Sequence, residues 1–209
     1  MAADLTVACV LRSGGIYNAE WVRKLRDGFA RNLRAPHAFV CLSDVDVPCE
    51  RIPLVTDWPG WWSKLELFRP GLFDGPVLYC DLDHVCCGPL DALVADHDPD
   101  YVIGWRDDYR RTGVWASNLM WWHADLSFLF AEFAEAPEAY MTQYASMPRL
   151  GDQAFIAARV NTRAWQDILP PGVVEHYGRH GDGVSMLLTT GRPKPQQIAH
   201  DPIVAMNWI

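Results

Sequence analysis

The run Pro76-Val-Leu-Tyr-Cys-Asp-Leu-Asp-His84 restricts what this chain can fold into more than any other segment. Val77 to Cys80 reads as a short buried strand, and Asp81 and Asp83 follow one residue apart where that strand should end. Residues i and i+2 of an extended strand face the same way, so both carboxylates are expected to project into one site. Adjacent negative charges repel unless a cation or a shared proton offsets them. The simplest arrangement is a divalent metal with oxygen ligands at the carboxyl edge of a sheet, where open α/β folds bind their ligands. The expectation is an enzyme that handles a phosphorylated substrate.

The preceding segments point to the same class. Leu5 to Leu11 is a Val-rich apolar run that reads as a first strand, and Arg12 to Asn18 is a loop by composition. Between Glu20 and Leu33 the apolar residues Trp21, Val22, Leu25, Phe29 and Leu33 recur at helical spacing. His37 to Leu42 gives a second strand. Strand, glycine-bearing loop, helix and strand is how a nucleotide-binding α/β unit opens. The loop lacks a GxGxxG fingerprint, so a dinucleotide site is not supported.

Farther on, Arg51 to Leu54 reads as a short strand and Trp58 to Trp62 as an irregular aromatic segment. Ser63 to Phe68 is expected to be a short helix, N-capped by Ser63 with Glu66 as its capping-box partner. Leu90 to Val94 is an amphipathic turn, Tyr101 to Gly104 and Asn118 to Trp122 are strands, and Leu126 to Phe133 and Gly151 to Arg159 are helices. Pro170 to Pro202, where Gly and Pro cluster, is expected to be irregular. No repeat or low-complexity linker divides the chain, so residues 1–209 read as a single α/β domain.

Half of the residues are hydrophobic, which excludes general disorder. The net charge of −8 argues against a general affinity for nucleic acid or acidic lipid, although a local basic patch is possible around Arg106, Arg110 and Arg111. The start, Met-Ala-Ala-Asp-Leu-Thr, lacks the basic and apolar regions of a signal peptide, and no apolar run approaches the roughly 20 residues that span a bilayer. A cytoplasmic location is the expectation. The six cysteines include Cys9, Cys41 and Cys80 inside apolar runs and have no zinc-knuckle spacing, so they read as structural thiols in a reducing compartment. Ten Trp exceed what a core requires, and such a surplus can line a cleft for sugars or bases as well as pack the interior.

The flanks of the Asp-X-Asp pair add specificity. Upstream lies Trp61-Trp-Ser-Lys-Leu-Glu-Leu-Phe68, and downstream lies Gly88-Pro-Leu-Asp-Ala-Leu93. From Trp61 to Leu93 the chain resembles the core of GT-A fold glycosyltransferases, particularly the glycogenin-like and bacterial lipopolysaccharide galactosyl- and glucosyltransferase group. The resemblance implies a metal-dependent hexosyltransferase that uses a nucleotide-diphosphate sugar, a UDP-sugar by analogy, and retains anomeric configuration. It implies a single Rossmann-like α/β domain with a mixed, mostly parallel sheet flanked by helices, with a nucleotide-binding half over about 1–95 and a sugar- and acceptor-binding half over about 96–209. Tyr17 would stack on the nucleobase, and the backbone around Leu11 and Arg12 would line the base pocket. Lys64 would reach the ribose or phosphates. Asp81, Leu82 and Asp83 would bind the donor, with Asp81 and Asp83 as ligands of Mn²⁺ or Mg²⁺. Ser117 and Asn118 resemble the segment that contacts the donor sugar. Gly151-Asp-Gln153 resembles the family's Asp-Gln motif, which makes Asp152 and Gln153 the catalytic candidates. Gly191-Arg-Pro-Lys-Pro195 resembles a C-terminal segment that holds the diphosphate, with Gly191 and Lys194 as donor-binding residues.

Two departures stand out. The family's C-terminal segment carries a His as third protein ligand of the metal, and Leu188, Thr189 and Thr190 occupy that stretch here. Phosphate oxygens and waters could complete the shell, His176, His180 or His200 could replace it, or activity could be weak or lost. Ala116 stands where the family opens its sugar-contact segment with Asn, and Asn118 is the nearby substitute. His84 is read as a neighbour of the carboxylates, because the position after Asp83 should point away from their face. Asp152 has an alternative as a helix N-cap.

Two other function classes remain open at this stage. A non-catalytic nucleotide-sugar-binding protein would follow from the missing His. A haloacid dehalogenase-like phosphatase also has Asp-X-Asp at a strand end, but on its first strand, whereas about 75 residues precede the motif here. The acceptor is not readable, with nucleic acid the least favoured. The tryptophan-rich segments around Trp61 and Trp121 are the candidates to line its cleft.

Overall fold

The computed structural model describes residues 5–95, 97–106, 114–146 and 149–209. Strand β1 (Leu5–Leu11) leads through the Arg12–Asn18 loop into helix α1 (Ala19–Asn32), which begins where the Asn18 side chain accepts a hydrogen bond from the Glu20 N–H. The helix buries Trp21, Val22, Leu25 and Phe29, the stripe its periodicity requires, and leaves its arginines outside. Strands β2 (His37–Ser43) and β3 (Glu50–Pro53) follow. After a 3-10 turn over Gly60–Phe68 come β4 (Val77–Cys80), the two-residue β5 (Val85–Cys86) and a 3-10 turn at Asp91–Val94. Next are β6 (Val102–Arg106), β7 (Trp115–Trp122), α2 (Ser127–Glu135), α3 (Pro137–Gln143), β8 (Ala145–Ser146), β9 (Arg149–Leu150) and α4 (Gly151–Ala157). Strand β10 (Thr162–Ala164), a 3-10 turn at Trp165–Asp167, β11 (Val174–His176), β12 (Met186–Leu188), a 3-10 turn at Pro195–Ile198 and α5 (Pro202–Asn207) complete the order.

Seven strands form the main sheet in the order β10-β6-β7-β4-β1-β2-β3. Only the pairings of β7 with β4 and β6 are antiparallel. The sheet is therefore mixed and mostly parallel, and strands from both halves of the chain share it. Alternation along each strand fills two cores. Val7, Cys9, Leu11, Leu78, Cys80, Leu119 and Trp121 face α1, whereas Ala8, Val40, Leu42, Tyr79, Met120 and Trp122 face α2, α4 and the Gly60–Phe68 turn. Burial on both faces explains why β4 and β7 show no polar alternation.

A second, three-stranded sheet, β11-β12-β5, sits at the carboxyl end of β4. It pairs Met186 with Cys86 and Leu187 with Val85, which fastens the C-terminal segment to the residues immediately after His84. The stretch expected to be irregular thus supplies two strands, each too short for period-two patterning to reveal. Helix α3 was likewise not legible in the sequence, since none of its residues is buried and no apolar stripe marks it.

The aromatic surplus is mostly core. Trp121, expected at a cleft, is 3% exposed and packs against His97, whereas Trp61 is 53% exposed. All six cysteines are free thiols. Of the suggested basic patch, Arg106 pairs with Asp167 at 3.0 Å, and Arg110 and Arg111 lie outside the described residues. No helix among the described residues is long and apolar enough to cross a membrane.

Candidate functional site

The strand bearing the carboxylates ends at Cys80, one residue before Asp81. Asp81 to His84 is a turn, closed by the His84 N–H donating to the Asp81 carbonyl at 3.4 Å, so the extended geometry expected for the pair does not hold. Asp81 remains tied to the sheet through its N–H, which donates to the Asn118 carbonyl of β7 at 2.8 Å. The turn changes the fate of His84. A residue three positions along a turn folds back beside the first, and ligand atoms of Asp81, Asp83 and His84 all lie within 4.8 Å of one another. His84 therefore faces the carboxylates instead of pointing away.

The two aspartates have different partners. Asp81 Oδ1 accepts from the Tyr79 hydroxyl at 2.5 Å and lies 3.2 Å from Lys64 Nζ. Asp83 Oδ2 accepts from the Tyr17 hydroxyl at 3.0 Å and from Lys194 Nζ, while its Oδ1 lies 3.6 Å from His84 Nδ1. The Asp83 carbonyl accepts from the Thr189 hydroxyl. Two separate lysines thus supply the counter-charge that the sequence requires.

Lys64 is the hub of the buried side of the site. Its ammonium lies 3.1 Å from Asp152 Oδ2 and donates to the hydroxyl and carbonyl of Ser117 at 3.0 and 3.3 Å. Ser117 in turn donates to Asp152 Oδ2 at 2.5 Å. The expected helix at Ser63 is a 3-10 turn that starts at Gly60, and the Ser63 hydroxyl donates back to the Gly60 carbonyl at 2.8 Å. Glu66 closes no capping box. It is fully buried and accepts from the Val55 and Thr56 N–H groups and the Thr56 hydroxyl, which holds the 54–59 loop instead. The capping pattern was matched in sequence, but the buried demand of the loop takes the carboxylate.

Asp152 stands in the first turn of α4, preceded by Gly151 at φ +72°. A Cβ at Gly151 would meet Trp61 Nε1 at 2.9 Å, so the glycine permits both the left-handed backbone and the close approach of that exposed indole. Because the Asp152 carboxylate is spent on Ser117 and Lys64, the N-cap alternative is not what the side chain does. Gln153 is half-buried beside it. Asn118 donates to the Thr190 hydroxyl at 2.8 Å, and its buried Oδ1 has no hydrogen-bond partner.

The site opens into a cleft of about 560 Å³ walled by the Arg12–Tyr17 loop, Trp61, Lys64, Tyr79, Asp81 and Leu82. That volume lies within the range of small-ligand sites. Arg12 is committed to structure, donating to the Trp58 and Thr56 carbonyls and lying 3.5 Å from Asp44. The side chains of Leu11 and Leu82 belong to the core, so only their backbones can serve a ligand. Lys194 reaches Asp83 from just before the Pro195–Ile198 turn, whereas Gly191 is exposed at φ +81°. Sequence reasoning missed Tyr79, whose phenol is aimed at Asp81. The alternation along β4 gave no hint, because every residue there is buried.

Burial pushes the Asp81 carboxyl above its usual range, with Lys64 opposing and Asp83 adding to the rise. Burial works against the Lys64 ammonium, but Asp152 and Asp81 outweigh it and its pKa is raised. Burial, then Asp83 and Asp81, raises the Tyr17 phenol, which keeps it a donor. Burial lowers the His84 pKa despite the nearby aspartates, favouring the neutral ring. Neither His84 nitrogen has a hydrogen-bond partner. Two carboxylates and a neutral imidazole with free nitrogens make a chemically suitable donor set for a divalent cation.

Comparison with solved structures agrees with the architecture. The GlyE glycosyltransferase of Streptococcus pneumoniae TIGR4 superposes with a TM-score of 0.68 at 12% identity, over 97% of this chain and 61% of that one. An active-site mutant of LgtC gives 0.65 at 10% identity, over 97% of this chain and 96% of that one. This is the GT-A fold of glycosyltransferases. A further structure of LgtC, described as a galactosyltransferase with donor and acceptor sugar analogues, gives 0.62 at 10% identity, over 97% and 96%. Mouse xyloside xylosyltransferase 1 gives 0.52 at 12% identity, over 88% of this chain and 96% of that one. At the level of sequence, no family model matches the chain and no curated protein matches it.

Proposed function

We propose that the protein is a metal-dependent glycosyltransferase that moves a hexose from a nucleotide-diphosphate sugar, a UDP-sugar by analogy, to an acceptor not yet identified. The observation that carries this reading is the convergence of Asp81, Asp83, Asp152, Lys64 and Lys194 at the carboxyl end of a GT-A sheet, beside a cleft of suitable size. Likeness of fold to GlyE and LgtC supports it, and the donor and acceptor analogues in the LgtC structure are the model for its substrates.

In this reading Asp81 and Asp83 hold Mn²⁺ or Mg²⁺. The cation would supply charge neutralisation for a leaving diphosphate. Without a counter-cation, one carboxylate and one phosphate charge 4 Å apart repel by about 4 kcal/mol at an effective dielectric near 20. Lys194, already at Asp83, is placed to donate to the same diphosphate. Tyr17 and the Arg12–Tyr17 loop, which wall the cleft, would take the nucleoside end; by the family resemblance, Ser117 and Asn118 would contact the donor sugar, and Asp152 with Gln153 would stand beside the reacting carbon. Lys64 fixes Asp81 and Asp152 relative to one another, which pre-organises the charge at the reaction centre. Retention of configuration follows from the family resemblance.

A panel of UDP-, GDP- and ADP-sugars with Mn²⁺, read by donor hydrolysis, tests the proposal. Wild type should release nucleotide from one donor in a chelator-sensitive way, and Asp83→Asn should lose this by at least about a hundredfold, as for removal of one charge-stabilising group. Turnover unchanged in Asp83→Asn would sink the assignment. Thermal stabilisation by donor and Mn²⁺ with no nucleotide release would favour a binding protein instead.

A further inference from the structure

The stretch that should supply a third protein ligand has none to offer. Leu188 is fully buried in β12, Thr189 donates to the Asp83 carbonyl, and Thr190 accepts from Asn118. His176, the nearest alternative on that sheet, has its ring nitrogens at 3.0 and 3.3 Å from the carbonyls of Tyr177 and Thr190. His84 is different. It is 1% exposed, has no hydrogen-bond partner on either nitrogen, and sits with a ligand atom within 4.8 Å of both aspartates. A buried imidazole with both nitrogens unpaired is an anomaly that a bound cation would relieve at one of them.

We propose that His84 is the third protein ligand of the divalent cation, so that the site is Asp81-Asp83-His84 and one tight turn supplies every protein donor. This rests on the metal site proposed above and names a ligand that the reading did not contain. The geometry is close to what is needed. Bonds of about 2.1 Å in an octahedral shell put neighbouring ligand atoms about 3.0 Å apart and opposite ones about 4.2 Å apart. His84 Nδ1 to Asp83 Oδ1 is 3.6 Å, about 0.6 Å wider than neighbouring ligand atoms stand in such a shell, and no pair in the group is wider than 4.8 Å. The Asp83 oxygens divide the work: Oδ2 meets Tyr17 and Lys194, while Oδ1 faces His84. An imidazole nitrogen beside two carboxylates also biases the site toward Mn²⁺ and other transition ions over Mg²⁺, which prefers oxygen donors alone.

Electron spin-echo spectroscopy of Mn²⁺ bound to the full chain with UDP reads the ligand directly. Wild type should show nitrogen modulation that changes when histidine is labelled with ¹⁵N, a test that requires no variant. His176→Gln should retain that signal. His84→Gln should lose it, bind Mn²⁺ about tenfold or more weakly, and lose its preference for Mn²⁺ over Mg²⁺ in competition titrations. Bound Mn²⁺ without histidine nitrogen coupling would overturn the assignment while leaving the Asp81–Asp83 metal site standing. Coupling that survives in His84→Gln, or disappears in His176→Gln, would overturn it too. Absence of Mn²⁺ binding, with or without UDP, would remove the metal-dependent reading itself, and the His84 assignment with it.

Discussion

Replacing Lys64 by Met removes the charge but keeps most of the apolar stem, so the experiment isolates the hub of the site. Two carboxylates lose their partner. Asp152, with a side chain only 7% exposed, cannot recover solvation, whereas Asp81 at 31% partly can. Stripping one partner from a buried ion pair costs about 3–5 kcal/mol, and the accessibility of Asp81 places the expected loss near the lower end, at about 3 kcal/mol. For a chain of this length that corresponds to a fall of about 6–12 °C in Tm. The sign of the pH dependence is fixed by Asp81. Asp81 already has a folded pKa above its ordinary value because of burial, and removing Lys64 raises it further. A group with a raised folded pKa gives its full stability below the unfolded value and loses it as pH rises through the folded one. The share of the Lys64→Met deficit carried by Asp81 should therefore be absent near pH 4 and grow progressively toward pH 7, as read by urea denaturation followed by tryptophan fluorescence. A deficit that is the same at both pH values, or smaller than about 1 kcal/mol at pH 7, would show that Lys64 does not hold the carboxylates and refute the electrostatic account.

Glu66→Gln leaves an amide N–H₂ facing one of the backbone donors of Val55 or Thr56, so urea denaturation should report a loss of about 2 kcal/mol with the 54–59 loop loosened. Gly104→Ala drives a Cβ into the Trp115 ring at the β6–β7 irregularity, and thermal melts should show a loss of about 1–3 kcal/mol, with an unchanged Tm refuting that packing. Trp61→Ala removes an exposed ring from the cleft wall. Its Tm should stay within about 4 °C of wild type, while KM for the donor or acceptor rises; unaltered kinetics with every substrate would take Trp61 out of the cleft's binding surface.

The α/β class was legible because β1, α1 and β2 carry strong, uninterrupted periodicities: β1 has the expected bounds, α1 is shifted by one residue at each end, and β2 runs one residue farther. The carboxylate pair was legible from its flanks, and its lysine partners came from the resemblance. What stayed hidden was set by tertiary demand. Glu66 matched a capping pattern but answers to the loop ten and eleven residues before it, and His84 faces the carboxylates because Asp81 to His84 is a turn and not an extended strand. The short strands β11 and β12 exist only because β5 gives their backbone a partner, and no local propensity encodes that.

The pairing of β12 with β5 has a consequence for when the protein becomes competent. A chain emerging from the ribosome could complete its seven-stranded sheet once Ala164 is out, with both main cores largely formed. Asp83 would still lack Thr189 and Lys194, the latter 111 positions later in sequence. Closing that contact is among the longest loop closures in the molecule and belongs to the last stage of folding. The β11-β12-β5 sheet thus divides the acidic pair by origin: Asp81 finds its lysine within the first half of the chain, whereas Asp83 is neutralised only once the C-terminal residues have folded back onto it.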